Sequence, residues 1–196
     1  MGTDEKVLNL FADMQFTAKW IANSIHNRKQ VCDFCWQIDN VLPPNVLNTI
    51  NYFLDNNDKW EGVDLQQNYP RRAVHWNQSD ASPYKQMHFI FQQLTPVIRG
   101  VFREHVEFKH SNMWEDSPGY TIDPHVDNDA INYAIQIYLN DANENCGTCM
   151  YDSEQKLIHR VPYIKNTGYI LKNGVNSWHG MTTKGNLRRS LYVNYR

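Results

Sequence analysis

The stretch Gly119-Tyr120-Thr121-Ile122-Asp123-Pro124-His125-Val126-Asp127 decides the fold when it is taken together with Ser177-Trp178-His179-Gly180 and Arg188-Arg189-Ser190. His125 and Asp127 are two residues apart, so on a β-strand or at its end both side chains leave on one face. A second imidazole, His179, from a distant strand completes a set of two neutral nitrogens and one carboxylate. Such a set holds a divalent metal on one side and leaves the opposite coordination positions open. Arg188 follows His179 by nine residues. Its permanent charge can hold a carboxylate of a co-ligand that fills those positions. A lone His-x-Asp is most often ordinary strand-end chemistry; the ordered combination points to a metal site.

Working outward, short strand-like segments follow one another over 106–113, 119–126, 130–139, 148–151, 157–161, 168–172, 176–180 and 188–195. Turn residues separate them: Ser117-Pro118-Gly119, Asn140-Asp141, Lys172-Asn173-Gly174 and Lys184-Gly185-Asn186. About eight short strands predict a double-sheet jelly roll, in which His125 and His179 can meet. The first half reads differently. Val7, Leu10, Phe11 and Met14 have helical spacing, and Trp20, Ile21 and Ile25 continue it. A strand is expected over Gln30 to Ile38. Leu42-Pro43-Pro44 opens a helix, with proline tolerated in the first turn and Val46, Leu47, Ile50, Phe53 and Leu54 on its apolar face. From Tyr84, Met87, Ile90, Phe91, Leu94, Val97, Ile98, Val101 and Phe102 share one helical face, a core stripe that Pro96 should kink or split. Residues 56–83 read as irregular segments and short strands, and Arg71-Arg72 and His75-Trp76 there are placed to cover a site or touch substrate. The expected class is α+β, mainly β. Residues 1–196 form one domain, with 1–105 a mostly helical bracing part and 106–196 a jelly-roll core carrying the metal site.

On these residues the chain resembles the 2-oxoglutarate- and Fe(II)-dependent oxygenases, and within them the prolyl-hydroxylase-like group. The matching segments are 119–127, Ile137-Tyr138-Leu139-Asn140, Cys146-Gly147-Thr148, 177–180 and 188–195, with a weaker echo at 39–44. The resemblance implies a double-stranded β-helix, a cupin-like jelly roll, holding one Fe(II), with 2-oxoglutarate and O2 as co-substrates. It implies His125, Asp127 and His179 as the iron ligands. It implies Arg188, with Ser190 and the Tyr138 hydroxyl, as the partners of the distal carboxylate of 2-oxoglutarate. Arg189 is the rival, but it has the wrong strand parity if Ser190 faces the site. Gln136 and Tyr192 share the parity of Tyr138 and Arg188 and are expected along the pocket; Tyr120, Trp114 and Trp178 are candidates for its dry wall. The activity implied is hydroxylation of an unactivated carbon with release of succinate and CO2. A prolyl or other side chain of a peptide is the leading substrate, and a free amino acid or small metabolite the alternative. The chain departs from the family's pattern where Cys146-Gly147 stands in place of a glycine pair and in the longer spacing from Tyr120 to His125.

Composition narrows the rest. Of 196 residues 13% are aromatic, which suits a folded β-rich body, and the net charge of −2 gives no basic field for nucleic acid or a membrane surface. The beginning of the chain has no basic head before an apolar run, Lys6 stands where a myristoylation motif wants Ser or Thr, and no run spans a membrane, so a cytoplasmic protein is expected. Two arginines six apart around an asparagine, a nucleic-acid demethylase signature, are not met. Cys32/Cys35 and Cys146/Cys149 form two C-x-x-C pairs, a competing signal for structural zinc or redox chemistry. Residues 31–36 read as a strand, however, where a spacing of three sends the two thiols to opposite faces. His26, His75, His88, His105, His110 and His159 lack ligand spacing. A cupin-type metal protein that does not use 2-oxoglutarate, and a catalytically dead interaction barrel, complete the alternatives.

Overall fold

The computed structural model describes residues 14–56, 60–64, 70–75, 83–128 and 131–196; the positions Val7, Leu10 and Phe11 of the expected first helix lie outside them. The described elements are α1 (Met14–His26), β1 (Lys29–Cys32), β2 (Cys35–Asp39), α2 (Pro44–Asp55), β3 (Glu61–Asp64) and β4 (Arg71–His75). Then come α3 (Pro83–Gln93), α4 (Thr95–Phe102), β5 (Phe108–Asp116), β6 (Thr121–His125), β7 (Tyr133–Tyr138), β8 (Cys149–Tyr151), β9 (Leu157–Arg160), β10 (Thr167–Lys172), β11 (His179–Thr182) and β12 (Arg188–Tyr195). Local chemistry sets several bounds. Pro44 occupies the first turn of α2, where its missing N–H costs nothing. Pro96 divides the long apolar stripe: α3 stops at Gln93, Leu94 makes a turn, and α4 restarts with the proline in its first turn.

The strands form two sheets. The larger has the order β1-β2-β10-β7-β12-β5-β4-β3, and the smaller β6-β11-β8-β9. Along β12, Leu191, Val193 and Tyr195 join the cluster that packs Ile21, Ile25, Leu47, Ile50, Phe91 and Ile98 of the helices against the large sheet. On the other face Ala134, Tyr138, Tyr169 and Leu171 pack against Cys146, Met150, Val161 and Tyr163 of the small-sheet side. The architecture is therefore mainly β, a double-stranded β-helix with helices on the outer face of its large sheet. The part before residue 105 also supplies four strands, β1 to β4, to that sheet.

Two readings of the first half change. The strand expected over Gln30 to Ile38 is a hairpin, with Asp33 and Phe34 as its turn and Cys32 directly opposite Cys35. The two thiols are thus cross-strand neighbours, not on opposite faces. Gly168, at the centre of the large sheet, shows how closely β10 and β7 approach. A Cβ there would stand 2.0 Å from the Gln136 carbonyl oxygen. Gly168→Ala is expected to lower stability by about 1–3 kcal/mol or more, because neither central strand can yield. The check is a denaturant midpoint that falls with its slope unchanged.

Candidate functional site

Cross-strand register builds the site. His179 is the antiparallel partner of His125 across β11 and β6, and Asp127 follows just beyond the end of β6. Their ligand atoms all lie within 4.8 Å of one another, the one group of three or more His, Cys, Asp or Glu among the described residues that could hold a metal ion. Asp127 Oδ1 is 3.5 Å from His125 Nε2 and 3.8 Å from His179 Nε2. Each Nδ1 is 3.0 Å from a main-chain carbonyl, that of Asp123 for His125 and of Ser177 for His179. With Nδ1–H donating to those carbonyls, Nε2 is the ring atom that each histidine turns toward Asp127, as a metal ligand needs. Asn173 Nδ2 donates to the carbonyls of Asp127 and Asn128, and its Oδ1 accepts from Ser177 Oγ. One side chain therefore ties the strand end carrying Asp127 to the turn before His179.

Asp127 and His179 are shifted toward the forms that ligate a metal, and His125, held by Asp127, toward its protonated form. Burial pushes the Asp127 carboxyl up, but the hydrogen bond from His125 and the charge of His179 outweigh it, so the group sits below its ordinary range. Burial keeps His179 below the usual imidazole value, and the hydrogen bond to Asp127 raises His125. A carboxylate beside a neutral buried imidazole is the state that binds a divalent cation.

A cavity of about 180 Å³ opens on the three ligands and is lined by Arg71, Trp114, Ile122, Gln136, Thr148, Tyr169, Gly180, Met181 and Tyr192. Of the expected wall, Trp114, Gln136 and Tyr192 are there. Tyr120 is buried behind, with the Arg71 guanidinium 4.9 Å from its ring. Trp178 does not line the cavity; its carbonyl accepts from Tyr151 N. Thr148, Tyr169 and Met181 are wall residues the sequence did not single out. Arg71 had only its place in the 56–83 segment to suggest it.

Behind the cavity lies Arg188, 1% exposed. Its guanidinium is 5.6 Å from the Tyr138 ring and 5.1 Å from the Tyr163 ring. Nε, Nη1 and Nη2 have no hydrogen-bond partner, and the nearest carboxylate oxygen, Asp116 Oδ2, is 3.7 Å from Nη1. Tyr138 donates its hydroxyl to Thr148 Oγ1 at 3.1 Å and accepts from Thr148 N at 3.0 Å. Ser190 Oγ accepts from Gln136 Nε2 at 2.8 Å, and Gln136 Oε1 accepts from Tyr169 at 2.5 Å. A buried guanidinium with all three nitrogens unanswered is costly, and a bidentate carboxylate is the group that answers it.

Arg189 points the other way. Register places Arg188 opposite Asp116 and Arg71, and Arg189 opposite Glu115 and Arg72. The first row lies on the cavity side of the sheet: Arg71 lines the cavity and its Nε donates to Asp116 Oδ1 at 2.6 Å, while Asp116 and Arg188 are buried behind the lining. The second faces the helices, where Arg189 binds Glu115 at 2.9 Å and Asp55 at 2.5 Å.

No known family pattern matches the sequence, and no curated protein does either. Solved structures do match the fold. A Pseudomonas putida prolyl-4-hydroxylase is 15% identical, with 90% of this chain and 98% of that one covered and a TM-score of 0.68. The fold is that of the 2-oxoglutarate oxygenases. A Trichoplax adhaerens prolyl hydroxylase, solved in complex with a hypoxia inducible factor peptide fragment, shares this fold at 12% identity, 96% and 92% coverage and a TM-score of 0.66. So does the non-heme alpha ketoglutarate dependent epimerase SnoN from nogalamycin biosynthesis, at 9% identity, 93% and 83% coverage and a TM-score of 0.65. Among the described residues no helix is long and apolar enough to cross a membrane.

Proposed function

We propose that this protein is an Fe(II)- and 2-oxoglutarate-dependent dioxygenase that hydroxylates an unactivated carbon, on a prolyl or other side chain of a peptide. The observation that carries the reading is a pairing. A His-Asp-His set opens on a cavity, and a fully buried arginine with unanswered donors lies behind that cavity. A jelly roll that held metal without a carboxylate co-substrate would leave the buried Arg188 with only a 3.7 Å ion pair to Asp116 and no hydrogen bond for its three nitrogens. His125, Asp127 and His179 would hold the iron. Arg188 would hold the distal carboxylate of 2-oxoglutarate, with Tyr138 and Ser190 beside it. When bound, the pair supplies the oxidising chemistry: O2 is consumed, 2-oxoglutarate leaves as succinate and CO2, and one oxygen atom goes to the substrate carbon.

The chain's own residues position and exclude. The carbonyls of Asp123 and Ser177 hold the imidazoles in one tautomer. Tyr192 lines the cavity with Asp127, and burial and the Asp127 charge keep its hydroxyl protonated. Trp114 and Met181 keep the wall apolar, so the reacting carbon is sheltered from bulk water.

The peptide reading is supported by likeness of fold to two prolyl hydroxylases, one solved with a peptide. A free amino acid or small metabolite is the second reading, favoured by the cavity of about 180 Å³, which is small for a site that must also admit 2-oxoglutarate. The deciding experiment incubates the iron-loaded protein and 2-oxoglutarate with proline-containing peptides and, separately, with free amino acids, and follows succinate and product mass. A gain of one oxygen on a peptide is expected. Turnover of a free amino acid with no gain on any peptide would transfer the assignment to the second reading. No succinate from any substrate would sink both.

A further inference from the structure

The hairpin β1–β2 gathers the first C-x-x-C pair in a way the oxygenase chemistry does not use. Cys32 and Cys35 are directly opposed across a two-residue turn. Opposed residues of an antiparallel pair hold their Cα atoms about 4.5–5.5 Å apart, within the roughly 4.4–6.8 Å that a disulfide spans. The turn is fixed in place, because Phe34 O accepts from Lys172 N of β10 at 2.8 Å. The two thiols differ in environment. Cys35 is fully buried among Tyr138, Tyr169 and Leu171, whereas Cys32 is partly open to solvent. The second pair is arranged otherwise. Cys146 Sγ donates to Thr183 O at 2.8 Å, and Cys149 Sγ accepts from Arg160 Nε at 3.2 Å. Each of those buried thiols is thus engaged by a different partner.

We propose that Cys32 and Cys35 are a redox-active dithiol that closes to an intramolecular disulfide on reaction with hydrogen peroxide. The accessible Cys32 thiolate attacks one peroxide oxygen; the O–O bond breaks, hydroxide leaves and takes up a proton, and Cys32 becomes a sulfenic acid. The Cys35 sulfur then attacks the Cys32 sulfur, the S–O bond breaks, and a second water leaves with the Cys35 proton. Two thiols and one peroxide give one disulfide and two waters; the thiols lose two electrons and the peroxide gains them. A reducing dithiol reverses the bond by exchange. The division of labour follows from the surroundings. The Cys35 thiol favours the Cys32 thiolate beside it. With the N–H groups of Phe34 and Cys35, this outweighs partial burial and the Asp33 charge and brings Cys32 down to about 7. Burial drives Cys35 well above the usual thiol value. A partly exposed thiolate beside a buried partner thiol is the arrangement reactive pairs need. This proposal stands on the hairpin and is independent of the substrate and of iron.

The test uses the full chain, metal-free so that no iron decomposes the peroxide. Reduced protein is freed of reductant, treated with hydrogen peroxide, unfolded in iodoacetamide, digested and weighed. The expected product lacks two hydrogens in the segment holding Cys32 and Cys35, carries no alkyl group there, and is fully alkylated at Cys146 and Cys149. Dithiothreitol before alkylation should restore both thiols. Cys35→Ser should halt the reaction at a Cys32 sulfenic acid that dimedone traps, and Cys32→Ser should leave Cys35 unoxidised. The measurement on the unaltered protein decides the matter even if a variant misfolds. Full alkylation of Cys32 and Cys35 after peroxide, under conditions that oxidise dithiothreitol, would overturn the proposal. So would a bond joining either of them to Cys146 or Cys149, or zinc retained in native mass spectrometry and lost in Cys32→Ser.

Discussion

His179→Ala is expected to abolish succinate formation and to weaken Fe(II) binding by more than about 100-fold. Loss of a residue that merely orients a ligand typically costs about 10–100-fold in metal affinity, and His179 is a ligand itself in this assignment. Geometry makes the loss irreplaceable. His179 is 8% exposed, its Nδ1 is committed to the Ser177 carbonyl, and no other group of three metal-binding side chains exists among the described residues. The fold should survive, because the strand pairing of β11 with β6 and β8 runs through main-chain groups. Far-ultraviolet circular dichroism like that of the parent, with iron binding lost by calorimetry, is the expected pair of results. A variant that binds iron and turns over like the parent would show that the triad is not the metal site.

The site was more legible in the sequence than the first half of the fold, for a physical reason. His125, Asp127 and His179 carry chemistry in their identity and spacing, and strand parity separates Arg188 from Arg189 without any structure. That parity is what the rows Arg188–Asp116–Arg71 and Arg189–Glu115–Arg72 display. The hairpin at Cys32 was illegible because two-residue hairpin turns usually announce themselves with Gly or Asn at positive φ. Asp33 and Phe34 are not among the positive-φ residues; instead the register shifts between Gln30 and Cys32, a bulge that absorbs the mismatch in twist. Arg71 was hard to place for another reason. β4 pairs with β5 at long range, and nothing near Arg71 in sequence says which of two adjacent arginines faces inward.

Arg188→Ala is expected to weaken 2-oxoglutarate binding by roughly 30- to 4,000-fold, while Arg189→Ala leaves it close to the parent's. Removing one partner of a buried, hydrogen-bonded charge pair costs about 2–5 kcal/mol, and each 1.4 kcal/mol is about tenfold in affinity. The upper part of that range applies if the distal carboxylate is left with only the Tyr138 hydroxyl and the Ser190 hydroxyl nearby. The unliganded fold should tolerate the change, since Asp116 keeps its 2.6 Å bond from Arg71 and three unanswered nitrogens are removed. Arg189 is a different case. Its partners Glu115 and Asp55 lie on the helix side of the sheet, Glu115 retains Arg72, and the exposed Asp55 is screened by solvent. Arg189→Ala is therefore a modest stability change with no route to the cavity. Arg188→Lys separates charge from shape: a lysine keeps the charge but not the planar fork, so an affinity between those of the parent and the alanine variant is expected. Titration calorimetry on the metal-loaded protein reads all three. A loss confined to Arg189→Ala would reverse the parity argument and move the co-substrate to the opposite face of the sheet.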